Sequence, residues 1–180
     1  MKEARIVDGT PMGISARSRI KRACHTGISL IDLMIPLGKG QRQLIMGDQK
    51  TGKTRVLLRT LLTQVRDGSI GIYAAIGKSQ LAIKQIEEQL AYMGIADRMV
   101  IVSSSASDGS GMIFLTPYTA MTIAEYFRDQ GRDVIMALDD LSVHAKVYRE
   151  ISLLGRRFPG RNSYPGDINI SASPLMYLEP

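Results

Sequence analysis

The chain has 180 residues, of which 44% are hydrophobic and 22% charged, with 17 glycines and 7 prolines; this ordinary globular usage excludes a disordered, collagen-like or disulfide-scaffold protein. No apolar run reaches the roughly 18 to 20 residues needed to cross a bilayer, and the first residues lead into no signal-peptide-like stretch. The lone Cys24 excludes an internal disulfide or a four-cysteine zinc site and reads as a small buried thiol, so a cytoplasmic protein is expected. A net charge of +6 and a pI near 9.6 suit polyanionic partners, whether nucleotides, nucleic acid or acidic protein surfaces.

Residues 1–24 are basic and weakly patterned and read as an arm or linker. Ile28 to Leu37 suits a short helical turn that stops near Pro36, and Gly38 and Gly40 mark a loop. Gln43–Leu–Ile–Met46 is a short apolar run ending at Gly47, after which Lys53 to Arg66 places Leu57, Leu58, Leu61, Leu62 and Val65 on one helical face. A second strand over Ile70–Ile76 and a helix over Lys78–Met93 follow, then a third strand over Arg98–Ser103 and a Ser/Gly/Asp-rich loop to Gly111. A helix is predicted over Pro117–Gln130, burying Ala120, Ile123, Ala124 and Phe127. Val134–Leu138 reads as a buried strand ending at Asp139–Asp140, and Ser142 as the cap of a helix through Leu154. After Gly155 the periodicity fails. The βαβαβαβα order predicts an α/β fold with a mainly parallel sheet covered by helices on both faces, here with fewer strands than such domains usually have. The predicted domains are an arm at 1–24, an α/β domain at 25–167 and an irregular tail at 168–180.

The segment Gly47–Asp48–Gln49–Lys50–Thr51–Gly52–Lys53–Thr54 fits G-x-x-x-x-G-K-[ST] at every fixed position and lies between a predicted strand and helix. The glycines let backbone N–H groups curl around phosphate oxygens, and the helix N-terminus adds the positive end of its dipole. Lys53 is placed to reach the β and γ phosphates of ATP, or the β phosphate of ADP, and Thr54 to hold Mg²⁺. Asp139, at the carboxyl end of an apolar strand where parallel sheets place their ligands, is the second metal candidate, ahead of Asp140, whose competing role is helix capping. His25 and His144 lack neighbours at ligand spacing and read as surface or packing residues. Hydrolysis needs a group to orient or deprotonate water near the γ phosphate. The second strand delivers Lys78 there, a cation where a base is wanted, with Gln80 as the nearest alternative; Glu87 and Glu88 lie too far along the following helix. Little or no hydrolysis by the chain alone is expected.

Several motifs in order, namely Thr26–Gly27–Ile–Ser–Leu–Ile–Asp32, Pro36–Leu–Gly–Lys–Gly–Gln–Arg–Gln–Leu–Ile45, the phosphate loop, Ala124–Glu–Tyr–Phe–Arg–Asp129, Asp139–Asp–Leu–Ser142 and Tyr164–Pro–Gly–Asp167, make the chain resemble the nucleotide-binding domain of the ATP synthase alpha subunit over about residues 13–167. The resemblance implies a RecA-like P-loop NTPase core, incomplete at the C-terminal side. It also implies noncatalytic binding of Mg-ATP, beta-type ATPase subunits as ring partners, and contact with the inner membrane only through the assembled proton-translocating complex. Where beta subunits carry a catalytic glutamate and alpha subunits usually a glutamine, this chain has Lys78. Gln49–Lys50 replaces the usual arginine–glutamine pair of the loop. Two other readings are a stand-alone nucleotide-binding protein or weak ATPase, and a fragment of an RNA-dependent motor like transcription termination factor Rho. The 6% aromatic content, with no basic-aromatic stripe for stacking bases, argues against nucleic acid as a partner.

Overall fold

A computed structural model describes residues 4–7, 19–48 and 50–156, together with the backbone of 175–178. Gln49 and the Tyr164–Pro–Gly–Asp167 motif lie outside the described residues. The longest parallel run is three strands: β4 (Ile70–Lys78) pairs on one side with β5 (Met99–Ser105) and on the other with β6 (Val134–Asp139). The helices that connect and flank them are α2 (Lys53–Arg66), α3 (Gln80–Tyr92), α4 (Ser110–Asp129) and α5 (Leu141–Leu154). A two-stranded sheet of β1 (Ala23–Cys24) and β2 (Leu37–Gly38) brackets the short helix α1 (Ser29–Met34).

Strand alternation divides the core. Tyr73, Ala75, Ile135 and Ala137 face Leu57, Leu58, Leu61 and Val65 of α2 and Ile83, Ile86 and Leu90 of α3. Ile72, Ala74, Ile76, Met136 and Leu138 face Ile113, Ala120 and Ala124 of α4 and Val147 of α5. Because successive side chains point to opposite faces, a strand buried on both sides must be apolar throughout, which is why Ile70–Ile76 and Val134–Leu138 carry no polar alternation. Cys24 lies in the first of these clusters, and burial pushes its thiol up to about 11.

The structure departs from the expected elements at four places. The strand before the phosphate loop is β3 (Arg42–Gln43), shorter than Gln43–Met46: among the described residues its ladder partners are Met176 and Leu175, and Leu44 and Met46 are exposed. Those partners belong to β7 (Leu175–Leu178), so the tail is not irregular throughout: these four residues lie antiparallel between β3 and β6, giving the order β3-β7-β6-β4-β5. Helix α4 begins at Ser110, two turns before the expected start, with Pro117 inside it. Proline in a helix costs about 3 kcal/mol, but Ile113, Thr116, Pro117 and Ala120 are all buried, so the packed face continues through the proline. The cap of α5 is Asp140, not Ser142: its side chain accepts from the Val143 N–H at 2.9 Å.

The end of the expected arm is also fixed. Arg22 donates to both carboxylate oxygens of Asp133, at 2.9 and 3.1 Å, and the buried Lys39 ammonium joins them at 3.1 Å. Asp133 directly precedes β6 and its carbonyl accepts from the Ile70 N–H, so the β1–β2 unit is tied to the point where two central strands begin.

Leu61 is fully buried between α2 and the sheet. Leu61→Ala should therefore lower the unfolding free energy by about 2 to 5 kcal/mol, measured as a shift in the urea midpoint at unchanged slope.

Candidate functional site

The site forms where β4 and β6 diverge in their connections. Strand β4 leads through α3 to β5 on one side, while β6 returns on the other, so the carboxyl ends of β4 and β6 flank a switch point, where open α/β sheets bind ligands. The register places Tyr73 beside Ala137 and Ala75 beside Asp139. Tyr73, Ala137 and Asp139 therefore share the face that α2 covers, and the Tyr73 hydroxyl donates to Asp139 Oδ2 at 2.5 Å. Thr54 Oγ1, in the first turn of α2, donates to the same oxygen at 2.7 Å.

The other oxygen of Asp139 is taken as well. Gly77 adopts φ +59, a conformation open to glycine, and the ladder between β4 and β5 shifts between Ala75 and Lys78. The chain end so turned brings Lys78 Nζ to 3.1 Å from Asp139 Oδ1, with the two side chains only 19% and 7% exposed. Asp139 thus gathers a threonine from α2 and a tyrosine and a lysine from β4, whereas Asp140 turns away to cap α5. The two candidate carboxylates therefore make different contacts.

The loop itself is curled by Lys50 at φ 62 and Gly52 at φ 92, and Gly52 supplies no side chain to cap α2. The first-turn N–H groups of α2 are accordingly left to point at whatever anion the loop holds. Lys53 folds back: its ammonium donates to the carbonyls of Gly47 and Asp48, both at 2.5 Å, so it sits in the concavity of the loop. Thr51 Oγ1 closes the turn onto the Asp48 carbonyl at 2.8 Å. Between the loop and the end of β6 lies a cavity of about 320 Å³ lined by Gly47, Lys53, Leu138, Asp139 and Ser142. A wider groove on the outer side of the loop runs past Lys50 and Arg55 toward Gln89 and Met93.

The remaining candidates fall where packing puts them. His25 is exposed, while His144 is buried and stacked on Phe114, ring centroids 5.5 Å apart, and burial holds its imidazole below the usual value. Gln80 begins α3 at the surface, and Glu87 and Glu88 are exposed further along it. Among the described residues no group of three His, Cys, Asp or Glu side chains is placed to hold a metal. The donors that suit Mg²⁺ are the Thr54 hydroxyl and the Asp139 carboxylate, both hard oxygen ligands. Thr54 spends its proton on Asp139, which leaves its oxygen lone pairs available to a cation, so the donor types suit a magnesium ion, while the Lys78 ammonium beside Asp139 Oδ1 opposes a second positive charge there. Tyr73 is the participant that sequence reasoning missed. A tyrosine inside an otherwise aliphatic strand, two residues before the one that pairs with Asp139, is the signal that points to it.

A phosphate-type loop running into a helix, with an aspartate on an adjacent parallel strand joined to its threonine, defines a nucleotide-binding α/β protein of the P-loop NTPase class. The sequence model for the ATP synthase alpha/beta family, nucleotide-binding domain, matches residues 27–177, and the chain belongs to that family. It is 46% identical over 166 residues to the ATP synthase subunit alpha of Clostridium botulinum strains Hall, Loch Maree and Kyoto, which covers 92% of this chain and 33% of each relative. The chain thus spans about one third of the length of the curated relatives it matches, and it is of the alpha type.

Two measurements test this geometry. Burial and the neighbouring Asp139 carboxylate push the Tyr73 phenol far above its usual value of 10. Below that value the phenol is neutral in both folded and unfolded chains; above it only the unfolded chain ionises readily, so stability is lost as pH rises. Urea midpoints followed between about pH 9 and 11 should fall less steeply in Tyr73→Phe than in the wild type. Asp140→Ala should cost about 1 kcal/mol through loss of the α5 cap, read from the same urea titration at neutral pH.

Proposed function

We propose that the chain binds ATP or ADP through Gly47–Thr54 as the noncatalytic, alpha-type nucleotide-binding module of a rotary, proton-translocating ATP synthase. The observation that carries this reading is the loop and its surroundings: uncapped N–H groups of α2, the Lys53 ammonium already inside the loop, and the Thr54–Asp139 pair behind it. On nucleotide entry, Lys53 exchanges the two loop carbonyls for phosphate oxygens, and the α2 N-terminus receives the negative charge. When Mg²⁺ accompanies the nucleotide, Thr54 and Asp139 are the residues that would hold it, and the ion would supply charge neutralisation at the terminal phosphates.

The noncatalytic part of the proposal rests on what lies at the carboxyl end of β4. A base or water-orienting group belongs there, and the chain places Lys78, already engaged with Asp139. Glu87 and Glu88 face solvent from the second and third turns of α3. Residues 25–167, extended by β7, form the proposed nucleotide-binding unit, with 1–24 as the arm that enters it. Beta-type subunits are the proposed ring partners. Supporting this is an apolar surface on α1, where Leu30, Leu33 and Met34 are 73%, 81% and 72% exposed. No helix among the described residues is long and apolar enough to cross a membrane, and association with the inner membrane is proposed through the complex alone. The family match favours this reading over an RNA-dependent motor.

Calorimetric titration should show ATP and ADP binding to the full chain and no binding to Lys53→Ala; equal affinity in the two would overturn the loop as the site. Phosphate release at saturating ATP should stay well below about 1 s⁻¹, the low end of ordinary enzyme turnover. A faster rate that vanishes in Lys53→Ala would overturn the noncatalytic reading.

A further inference from the structure

The lysine that stands in the place of a base has a second consequence. Both oxygens of Asp139 are occupied without a metal: Oδ2 accepts from Thr54 and Tyr73, and Oδ1 faces the Lys78 ammonium at 3.1 Å. With Lys78 and Asp139 mostly shielded from water, their charges are little screened by salt. A divalent cation between Thr54 and Asp139 would lie within a few ångströms of the ammonium. It would meet a carboxylate whose charge is already balanced and a like charge beside it. Gly77 fixes this arrangement, because its left-handed backbone turns Lys78 inward and its N–H is held by Ser104 Oγ at 3.1 Å.

We infer that Lys78 takes over the charge-balancing task of the metal at Asp139, so that nucleotide binding to this chain depends little on Mg²⁺. Lys78 is in this sense a specificity-determining residue: it removes the preference for the magnesium complex over the metal-free nucleotide. The inference rests on the nucleotide-site reading given above. It differs from that reading in what it demands, since the phosphate loop alone would bind the magnesium complex preferentially.

The test is calorimetric titration of ATP into the full chain, in excess Mg²⁺ and again in EDTA, for the wild type, Lys78→Gln and Lys78→Arg. The wild type and Lys78→Arg, which keeps the charge, should show dissociation constants that differ by less than about threefold between the two conditions. Lys78→Gln should bind at least about tenfold more weakly in EDTA than in Mg²⁺, equivalent to about 1.4 kcal/mol. A wild type that itself loses tenfold in EDTA overturns the inference without reference to any variant. Equal insensitivity in wild type and Lys78→Gln overturns the role of Lys78. A second measurement separates this from failure of the nucleotide reading. Mg²⁺ without nucleotide should raise the melting temperature of Lys78→Gln and leave that of the wild type unchanged. If no variant binds ATP while this metal response is present, the nucleotide reading falls and the ion-pair inference stands; if Mg²⁺ raises both proteins equally, the ion-pair inference falls.

Discussion

The carboxylate of Asp139 is the constraint on which the site depends. It is a buried anion at the end of a strand that is otherwise wholly apolar, and a charge there is costly unless partners surround it. Those partners come from α2, from the middle of β4 and from the far end of β4, so satisfying one carboxylate fixes the relative positions of the phosphate-loop helix and two central strands. Each bond also explains a sequence choice. The tyrosine is tolerated in an aliphatic strand because its hydroxyl has an acceptor, and the lysine at the strand end because its ammonium has a counter-charge.

This arrangement joins stability and ligand chemistry in the same atoms. Removing the Asp139 charge would leave a lysine half-buried beside a tyrosine and threonine that have lost their acceptor, so the cost of such a change is not only a lost ligand. Asp140, one residue on, gives its side chain to the helix cap instead. Adjacent identical residues therefore carry different physical roles, one set by the sheet face it lies on and the other by the helix it begins.

Much of this was legible in the sequence. The helix Lys53–Arg66 and the strands beginning at Ile70 and Val134 follow directly from period 3.6 and from unbroken apolar runs. The loop motif carries its own geometry, and the preference for Asp139 over Asp140 follows from where an apolar strand ends. What was not legible depends on partners distant in the chain. Pro117 reads as a helix start because local propensity says so, and only burial against the sheet reverses it. The strand Leu175–Leu178 has no periodic signature, being defined by the gap it fills between β3 and β6. The Lys78–Asp139 pair needs the β4–β6 register, which no local pattern contains.

The two arms of the phosphate loop hang from supports of unequal stiffness. Downstream, Gly52 enters a fourteen-residue helix whose inner face is packed into the core. Upstream, Gly47 is four residues beyond a strand with two ladder pairs among the described residues, and nearby Leu44 and Met46 are exposed. A ligand entering the loop therefore finds a fixed wall on the helix side and a yielding one on the strand side. Any ordering of the strand-side arm that phosphate binding demands costs conformational entropy, and that cost lowers the measured affinity below what the loop's contacts alone would give.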